Sequence, residues 1–440
     1  MYGRFSKALL LSTCLFASAT ALGQPGPDAR APGRAMTDAK QQLADLPTAR
    51  FSLLQAVEAM RHSHLLLQAA KANLRAAAAD VVGAGLWTNP VADASYGRSF
   101  SNPQNDPVGS VGIGVTQFME TASAPEARRS VARLNEKAVE SDSELTLRLL
   151  AFDVESACVA LTGAAAKVQL YAEANAELDR ANQIVSARVR AGAAPQYDAS
   201  RIAVAVAQAR AALADAHADL AQARGDLDVA VGPDAGQLHG LPDIDLFEIA
   251  TPASLSTLLD ETTSARPDIV SIRQRAKAAE AQVTVARRNV LPGFSLRGGV
   301  YFGTTPGEFG GMVGVGVPLP IIDRGQGAVS AALARAEVAN AIADALTLQA
   351  TQRVRAFHDE TQRRRENFRQ YQETGVTLSH GMVQEAEAGY RAGKLSVLEL
   401  VDAYVAKRDA RLRAIELAND ARLAEIRLRR AVQAGYAGGQ

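Results

Sequence analysis

The chain has 440 residues, of which 48% are hydrophobic, and its 47 basic and 47 acidic residues leave no net charge. This balance excludes the basic surface typical of nucleic-acid-binding proteins, and the apolar content excludes a disordered chain. Aromatic residues make up only 5%, and alanine is abundant between charged residues. This composition favours long helices that pack closely against one another.

The first residues predict export from the cytoplasm. Arg4 and Lys7 form a basic start, residues 8–22 are mostly apolar, and a small residue, Ala21, stands at the end. These features are typical of a signal peptide, which we place at residues 1–23. The following residues, 24–50, contain several prolines and predict a flexible or extended leader.

The two cysteines have different predicted roles. Cys14 lies within the signal segment, where Leu11-Ser12-Thr13 before it weakly imitates a lipoprotein signal. Lipidation of Cys14 is therefore an alternative to simple cleavage, and the cleavage site itself stays open. Once the signal is removed, Cys158 is the only thiol, so no intrachain disulfide can form. We predict Cys158 to be a small buried helix residue.

The sequence is duplicated. "SVGIGVTQ" at residues 110–117 is answered by "MVGVGVPL" at residues 312–319, an offset of 202. "RAGAAPQYDAS" from Arg190 is answered by "RAGKLSVLELV" from Arg391, an offset of 201. A period of this length predicts two equivalent units, which we place at 51–240 and 251–436 with a linker at 241–250.

Each unit shows the same order of patterns: a helix, two strand-like segments, and two very long helices separated by a glycine turn. In the first unit the helix is predicted over 51–86 and the β-hairpin over 91–117, with long helices on either side of the turn at Arg190. In the second unit the predicted elements are a helix at 251–289, a β-hairpin at 293–319, and helices at 327–391 and 395–434.

The long helices have the spacing of coiled coils. Apolar residues recur in alternating steps of three and four along 124–191, and the stripe is broken only by Asn175 and Asn182. The second-unit helices share this stripe, apart from Lys407 and Arg364. At 1.5 Å per residue, a helix over 124–191 is roughly 100 Å long, far beyond the size of a globular domain.

The strand segments alternate between apolar residues and polar residues or glycine. Val111, Ile113 and Val115 share one face of a strand, and glycines occupy the other. This is the pattern of membrane β-barrel strands, although a soluble hairpin packed on a core shows it too. The glycines that would face a barrel lumen are Gly112, Gly114, Gly314 and Gly316.

Four strands cannot close a barrel, and an open sheet edge in lipid leaves backbone groups unpaired. Three copies of the chain would supply twelve strands and leave room for a channel, so strand number predicts a homotrimer. Beyond the signal segment no run of about 18 consecutive apolar residues predicts a membrane-spanning helix. The hairpin tips, residues 101–108 and 304–309, should face the outside.

Several motifs together carry a family resemblance. They are "RPDI" at Arg266 to Ile269, "ARRNVLPGFSL" from Ala286, "VGVGVPLPIIDRGQ" from Val313, and the two "RAG" turns. Residues 50–436 resemble the outer-membrane efflux protein family typified by TolC, and within it the branch that serves cobalt-zinc-cadmium efflux. "FMETASAPEARR" in the first unit departs from the family pattern, which bears on the substrate branch more than on the fold.

The resemblance implies a mainly α fold with a small β part: a trimeric twelve-stranded barrel in the outer membrane, continued by an α-helical tunnel in the periplasm. It also implies docking to a periplasmic adaptor protein and an inner-membrane resistance-nodulation-division pump that supplies the energy. The chain would be a passive exit duct for heavy-metal cations or drugs, without enzymatic activity or a cofactor. A type I secretion component, a periplasmic coiled-coil scaffold and an envelope metalloenzyme are the alternatives.

The resemblance also supplies candidate site residues near the two turns. Glu399 and Asp402 share a helix face, and acidic residues at matching positions line the periplasmic entrance in the family. Their first-unit equivalents are Asp198 and Arg201, and an ordinary solvated acidic pair is the alternative. The turns themselves would dock the adaptor, although helix capping by glycine explains them equally well. The docking candidates are Arg190, Gly192, Arg391 and Gly393.

Two further motifs are not interpreted as sites. His62 and His64 form an H-x-H pair, but no histidine or cysteine spacing in the chain matches a zinc site, so we predict no bound metal. Gly109, Gly112 and Gly114 do not have the spacing of a dinucleotide-binding loop and lack its βαβ surroundings.

Overall fold

The structure is a computed structural model that describes residues 46–98, 109–121, 123–290, 293–303 and 307–432. The predicted signal peptide, Cys14 and most of the predicted leader lie outside the described residues. The hairpin tips fall outside them too, apart from residues 307–309.

The first unit follows the predicted order of elements. These are β1 (Arg50–Phe51), α1 (Leu53–Ser63), α2 (Leu65–Ala84), β2 (Val91–Arg98), β3 (Gly109–Met119), α3 (Ala124–Arg190) and α4 (Gln196–Val231), followed by a short 3₁₀ turn (Pro233–Gln237).

The second unit repeats the order. Its elements are β4 (Leu241–Pro242), α5 (Leu255–Ala265), α6 (Pro267–Arg288), β5 (Phe294–Gly303), β6 (Phe309–Gly316), α7 (Gln326–Tyr371), a π-helical segment (Gln372–Val376), α8 (Thr377–Arg391) and α9 (Val397–Val432). β1 pairs with β4 in parallel, Arg50 opposite Leu241, so the ends of the predicted leader and linker contact each other.

The predicted single helices that begin each unit are each two helices. His64 separates α1 from α2 with extended backbone (φ −66°, ψ 123°), and its Nδ1 accepts a hydrogen bond from the Leu66 N–H at 3.3 Å. Arg266 separates α5 from α6 in the same conformation (φ −71°, ψ 120°). Pro267 explains the second break, because the residue before a proline is driven out of the helical region.

The long helices differ between the units. α3 runs without interruption over 67 residues, close to the predicted 124–191. Its counterpart, predicted as one helix over 327–391, is interrupted by the π segment and is therefore corrected to α7, the π segment and α8. A π turn adds one residue to a helical turn and shifts the faces that follow it.

The apolar stripes form the core of the helical shaft, and two of the polar exceptions, Lys407 and Arg364, are ion-paired. Lys407 donates to Glu177 across the α3–α9 seam at 2.7 Å, with only 12% and 21% of the two side chains exposed. Arg364 pairs with Glu360 and Asp420, both at 2.8 Å. Asn175 is buried, and its Oδ1 has no hydrogen-bond partner among the described residues.

The two units are joined at both ends of the molecule. At one end the four-stranded antiparallel sheet has the order β2-β3-β5-β6, so the β3–β5 pair links the two hairpins. Along the shaft α9 packs against α3, and an apolar cluster at the far end includes Ile202, Tyr390 and Leu400. A 67-residue helix separates these ends by roughly 100 Å.

α3 is also long and apolar enough, by length and composition alone, to cross a membrane. However, 56% of its most apolar stretch is buried inside the protein, as in the core helix of a soluble bundle. Cys158 lies in α3 and is fully buried, as predicted. Burial raises the pKa of its thiol to about 12, so the thiol is protonated and unreactive at neutral pH.

Candidate functional site: a two-faced sheet and paired helix tips

The sheet has one apolar face. Directly opposed residues on antiparallel strands point to the same side, and the register places Ile113 between Ala94 and Val300. Val313 on β6 is 89% exposed and Tyr96 on β2 is 70% exposed, so this face is not covered by the chain itself. The apolar side chains on this face include Ala92, Ala94, Tyr96, Val111, Ile113, Val115, Phe294, Leu296, Val300, Phe302, Phe309, Val313 and Val315; Gln117 and Arg98 lie on the same face near the ends of the strands.

The opposite face is polar and carries a charged network. Arg297 on β5 donates through Nε to the Thr116 hydroxyl at 3.2 Å, and its guanidinium lies 4.0 Å from the Asp93 carboxylate on β2. A charge on the lipid side of a barrel strand costs about 2–4 kcal/mol near the bilayer centre, so in a membrane barrel this face would be the one turned away from lipid.

The predicted lumen glycines all lie on this polar face. A Cβ at Gly112 would come within 2.8 Å of the Ser95 hydroxyl, and one at Gly316 within 2.7 Å of the Ser295 hydroxyl. At Gly114 the nearest atoms would be the Asp93 carboxylate oxygens at 3.3 Å, whereas Gly314 has open space. Glycine therefore leaves room for polar side chains on neighbouring strands at the first three positions.

The far end of the shaft carries the two glycine turns, which have nearly identical backbones. Gly192 and Gly393 have φ values of +69° and +73°. After α3, the Ala193 N–H donates to the Arg188 carbonyl at 2.9 Å, and after α8 the Lys394 N–H donates to the Gly389 carbonyl at 2.9 Å. Each turn is a Schellman motif, which requires a left-handed residue that glycine adopts without strain.

A contact between units joins the two tips. The Arg188 guanidinium lies 4.6 Å from the centre of the Tyr390 ring and donates to the Tyr390 carbonyl oxygen. The Tyr390 hydroxyl reaches the Asp198 carboxylate at 3.4 Å, at the start of α4. Burial raises the pKa of Tyr390, with the Asp198 charge as a second cause, so the phenol stays protonated.

Arg188 and Tyr390 were not among the predicted site residues. Each lies within two residues of an "RAG" turn, and that position is the signal that could have drawn attention to them. The docking candidates Arg190 and Arg391 are exposed, and Arg391 pairs with Glu387 at 2.9 Å.

Glu399 and Asp402 are both exposed on α9, but their surroundings differ. Glu399 forms a capping box with Ser396: its Oε2 accepts from the Ser396 N–H at 2.7 Å, and the Glu399 N–H donates to the Ser396 hydroxyl at 3.3 Å. These hydrogen bonds lower the pKa of Glu399, first through the Ser396 backbone and then through its hydroxyl. The Asp402 carboxylate has no hydrogen bond or ion pair to any described residue.

Both carboxylates line an open cleft of about 530 Å³ between α4 and α9. Arg201 and Arg408 line the same cleft, so its charges are mixed. Arg201 occupies the first-unit position equivalent to Asp402, an offset of 201. The structure thus brings the acidic pair and the first-unit arginine to one surface near the tips, while the sheet glycines lie at the opposite end.

Metal binding has no obvious location in the described part of the chain. No group of three or more histidine, cysteine or acidic side chains is arranged there to hold an ion. His64 serves as a helix cap, and its neighbour His62 is exposed.

Comparisons with known proteins agree with this architecture. The sequence profile described as outer membrane efflux protein matches residues 56–233 and 258–433. The chain is 27% identical over 310 residues to the nickel-cobalt-cadmium resistance protein NccC of Alcaligenes xylosoxydans xylosoxydans, covering 68% of this chain and 69% of NccC.

Two solved structures share the fold. A membrane protein from Pseudomonas aeruginosa superposes with a TM-score of 0.76 at 20% identity, covering 88% of this chain and 93% of that one. The transmembrane channel protein CusC gives 0.71 at 18% identity with the same coverage. The family match spans both units, and it confirms the predicted efflux interpretation: the chain belongs to the outer membrane efflux protein family and is an outer-membrane efflux channel of the tripartite type, with a tunnel that extends into the periplasm.

Proposed function

We propose that three copies of this chain join their four-stranded sheets into one twelve-stranded barrel, through which substrates leave passively. The observation that carries this proposal is the two-faced sheet, with an exposed apolar side and a polar side that holds Arg297, Asp93 and Thr116. β2 and β6 are its edges in the described structure. Edges in lipid must be paired, and pairing with other copies satisfies them.

The orientation of the barrel follows from the chain path. The helical shaft leaves the sheet at the ends where β3 finishes and β5 begins, so the hairpin tips point away from it. With the shaft in the periplasm, the tips at 101–108 and 304–309 face the exterior. The glycines on the polar face, including Gly112 and Gly314, then line the lumen and keep it wide.

The helix tips form the periplasmic entrance in this proposal. Three copies of Glu399 and Asp402 would place six carboxylates around one axis, which attracts cations and favours their entry over anions. Arg201 in the same cleft reduces the local charge and makes the ring uneven. The Gly192 and Gly393 turns, with Arg190 and Arg391 exposed beside them, would contact the periplasmic adaptor that couples the duct to an inner-membrane resistance-nodulation-division pump.

The exported substrate is proposed from similarity and charge together. The relative NccC is a nickel-cobalt-cadmium resistance protein, and an acidic entrance suits divalent cations. We therefore propose heavy-metal cations as the substrate class, with the pump rather than the duct providing selectivity.

Conductance of the purified protein in planar bilayers tests the entrance. Asp402→Asn removes a carboxylate that has no structural partner, so cation selectivity should fall several-fold and block by a trivalent cation should weaken. Glu399→Gln combined with Asp402→Asn should lower both further. Assembly should be unaffected, because neither residue is buried.

The matched control is Glu385→Gln, which removes an exposed carboxylate on α8 near the same tips. It should leave selectivity unchanged. Equal effects of Asp402→Asn and Glu385→Gln would show that the pair is a solvated surface and that the constriction lies elsewhere. Absence of any channel conductance in the wild-type protein would contradict the duct itself.

A further inference from the structure

A cleft of about 500 Å³ lies in the second unit where the sheet meets the shaft. The end of α6, the segment after β6 and the first turns of α7 form its walls. Val290, Pro318 and Leu319 supply apolar lining, and two arginines, Arg324 and Arg335, line it as well. The cleft lies at the opposite end of α3 from the helix tips, roughly 100 Å away, and contains none of the proposed entrance and lumen residues.

The two arginines are exposed and unneutralised. Neither side chain forms an ion pair or hydrogen bond with a residue that the structure describes; the backbone N–H of Arg324 donates to the Gln326 side chain at 2.8 Å. Asp323 is the acidic residue of the cleft, and its Oδ1 accepts the Gly325 N–H at 2.9 Å. With two positive charges and one negative charge, the cleft is suited to an anion.

The equivalent junction in the first unit is different. Arg133, which corresponds to Arg335 at an offset of 202, pairs with Glu126 at 3.2 Å. Arg129 pairs with the same Glu126 at 3.2 Å, and Arg128 pairs with Glu120 at 2.7 Å. The arginines of the first-unit junction are therefore ion-paired, whereas Arg324 and Arg335 in the second-unit cleft are not.

Apolar residues continue from the sheet to the rim of this cleft. Leu319 follows Val313, Val315 and Val317 at steps of two residues and is 73% exposed. Ile321 and Ile322 beside it are 69% and 91% exposed. Exposed apolar side chains thus extend from the apolar face of the sheet past the end of β6 to a cleft that also holds the unpaired arginines.

We propose that this cleft binds an anionic phospholipid of the periplasmic leaflet, with its phosphate against Arg324 and Arg335 and an acyl chain along Leu319 and the isoleucines. The proposal rests on the outer-membrane placement of the sheet described above. Basic residues at the membrane surface bind anionic lipid headgroups, and an apolar rim distinguishes a lipid from free phosphate. Because of its paired arginines, the first-unit junction would not bind the lipid in this way.

The test measures binding of phosphatidylglycerol to the full, detergent-solubilised protein by native mass spectrometry. Changing Arg324→Gln together with Arg335→Gln should weaken binding about tenfold or more. The matched control, Arg129→Gln with Arg133→Gln, removes the same charge from the first-unit junction and should change binding less than twofold by the same reasoning. Equal losses in both variants, or no loss in the first, would overturn the proposal.

Two further ligands identify the source of the anion. Phosphatidylcholine, which is zwitterionic, should bind more weakly than phosphatidylglycerol, and inorganic phosphate should not displace the lipid at millimolar concentration. Displacement by phosphate alone would show an inorganic anion site and contradict the lipid assignment.

Trp87 fluorescence shows whether this end of the sheet lies at a membrane, independently of lipid binding in the cleft. It is the only tryptophan, is 45% exposed and precedes β2 at the same end of the sheet. In vesicles containing brominated lipid its fluorescence should be quenched in the wild type and in both variants. Quenching in all three with unchanged lipid affinity would overturn only the cleft proposal; no quenching in the wild type would overturn the placement as well.

Discussion

The two helix tips have the same backbone and different side-chain chemistry. Both end in a Schellman turn with glycine at the left-handed position, Gly192 in one unit and Gly393 in the other. After the first turn, α4 begins at Gln196, and its N-cap residue Pro195 forms no side-chain capping bond; after the second, Ser396 and Glu399 form a capping box. Duplication has thus preserved what the backbone requires and allowed the exposed positions to diverge.

Because of this divergence, equivalent residues at the two tips form different contacts. Asp198, the counterpart of Glu399, has no role in capping and instead accepts from Tyr390 of the other unit at 3.4 Å. The first unit therefore supplies contacts that hold the second, through Asp198 and Arg188. The second unit supplies the exposed acidic pair.

The long helices of the two units also differ in how they are packed. α3 is continuous and buries residues along most of its length, whereas the π segment of the second unit contains no buried residue. The apolar clusters around Phe368 and around Tyr390 lie on either side of that segment. The second-unit shaft is less tightly packed at this level than the first.

The largest effect is expected from a substitution in the apolar cluster that the two tips share. Leu400 is 1% exposed in the tip cluster, and Leu400→Ala should destabilise it locally by about 2–5 kcal/mol. Hydrogen–deuterium exchange should show faster exchange in α8, α9 and also α4, since the cluster includes Ile202. Leu398→Ala, at a 55% exposed neighbour, is the control and should change little. Faster exchange confined to the second unit would mean that the tips do not stabilise each other.

A smaller effect tests whether the two turns are equivalent. Gly192→Ala and Gly393→Ala should each destabilise the tips by about 1–2 kcal/mol, because alanine is strained at positive φ. Gly381→Ala, inside α8 with open space around its Cβ position, should stabilise by about 0.5–1 kcal/mol. Thermal unfolding of the purified protein measures all three. A clear difference between the two turn variants would contradict their equivalence.

The parts of the fold that repeat locally could be predicted from the sequence. Alternation in β3 and β6 and the three-four spacing of α3 are visible in single segments, and the structure contains all three elements. The π segment was not predicted, because one added residue shifts the apolar stripe only beyond the point of insertion, and the stripe before it still indicates a continuous helix. The break at His64 has no proline or glycine to mark it, whereas Pro267 could have marked the other break.

The candidate site was less predictable because its contacts are distant in sequence. Arg188 and Tyr390 are 202 residues apart and meet only when the two units pack together. Ser396 and Glu399, in contrast, have the spacing of a capping box, so one role of Glu399 was readable from the sequence. The entrance role of Glu399 and Asp402 could not be predicted in the same way, because it depends on how several copies of the chain assemble.

The smallest effect concerns the pH dependence of the capping box, which the first unit lacks. Hydrogen bonds from Ser396 lower the pKa of Glu399 below its ordinary value of 4.5. A lowered pKa means that the ionised carboxylate stabilises the start of α9 fully above pH 4.5, and that this contribution is lost as the pH falls through the lowered value. Exchange of the Ser396 amide, corrected for its intrinsic pH dependence, should therefore accelerate in acid.

The control for this effect is Glu399→Gln, which keeps an acceptor oxygen but cannot titrate. Its Ser396 amide should exchange at one corrected rate on both sides of the transition, slightly faster than in the wild type at neutral pH because a charged acceptor forms the stronger hydrogen bond. α4 provides an internal reference, since Pro195 has no N–H to protect and the Asp198 amide bonds to the Pro195 carbonyl at 3.0 Å. A wild-type Ser396 amide with the same corrected rate at every pH would show that the carboxylate does not hold the helix start.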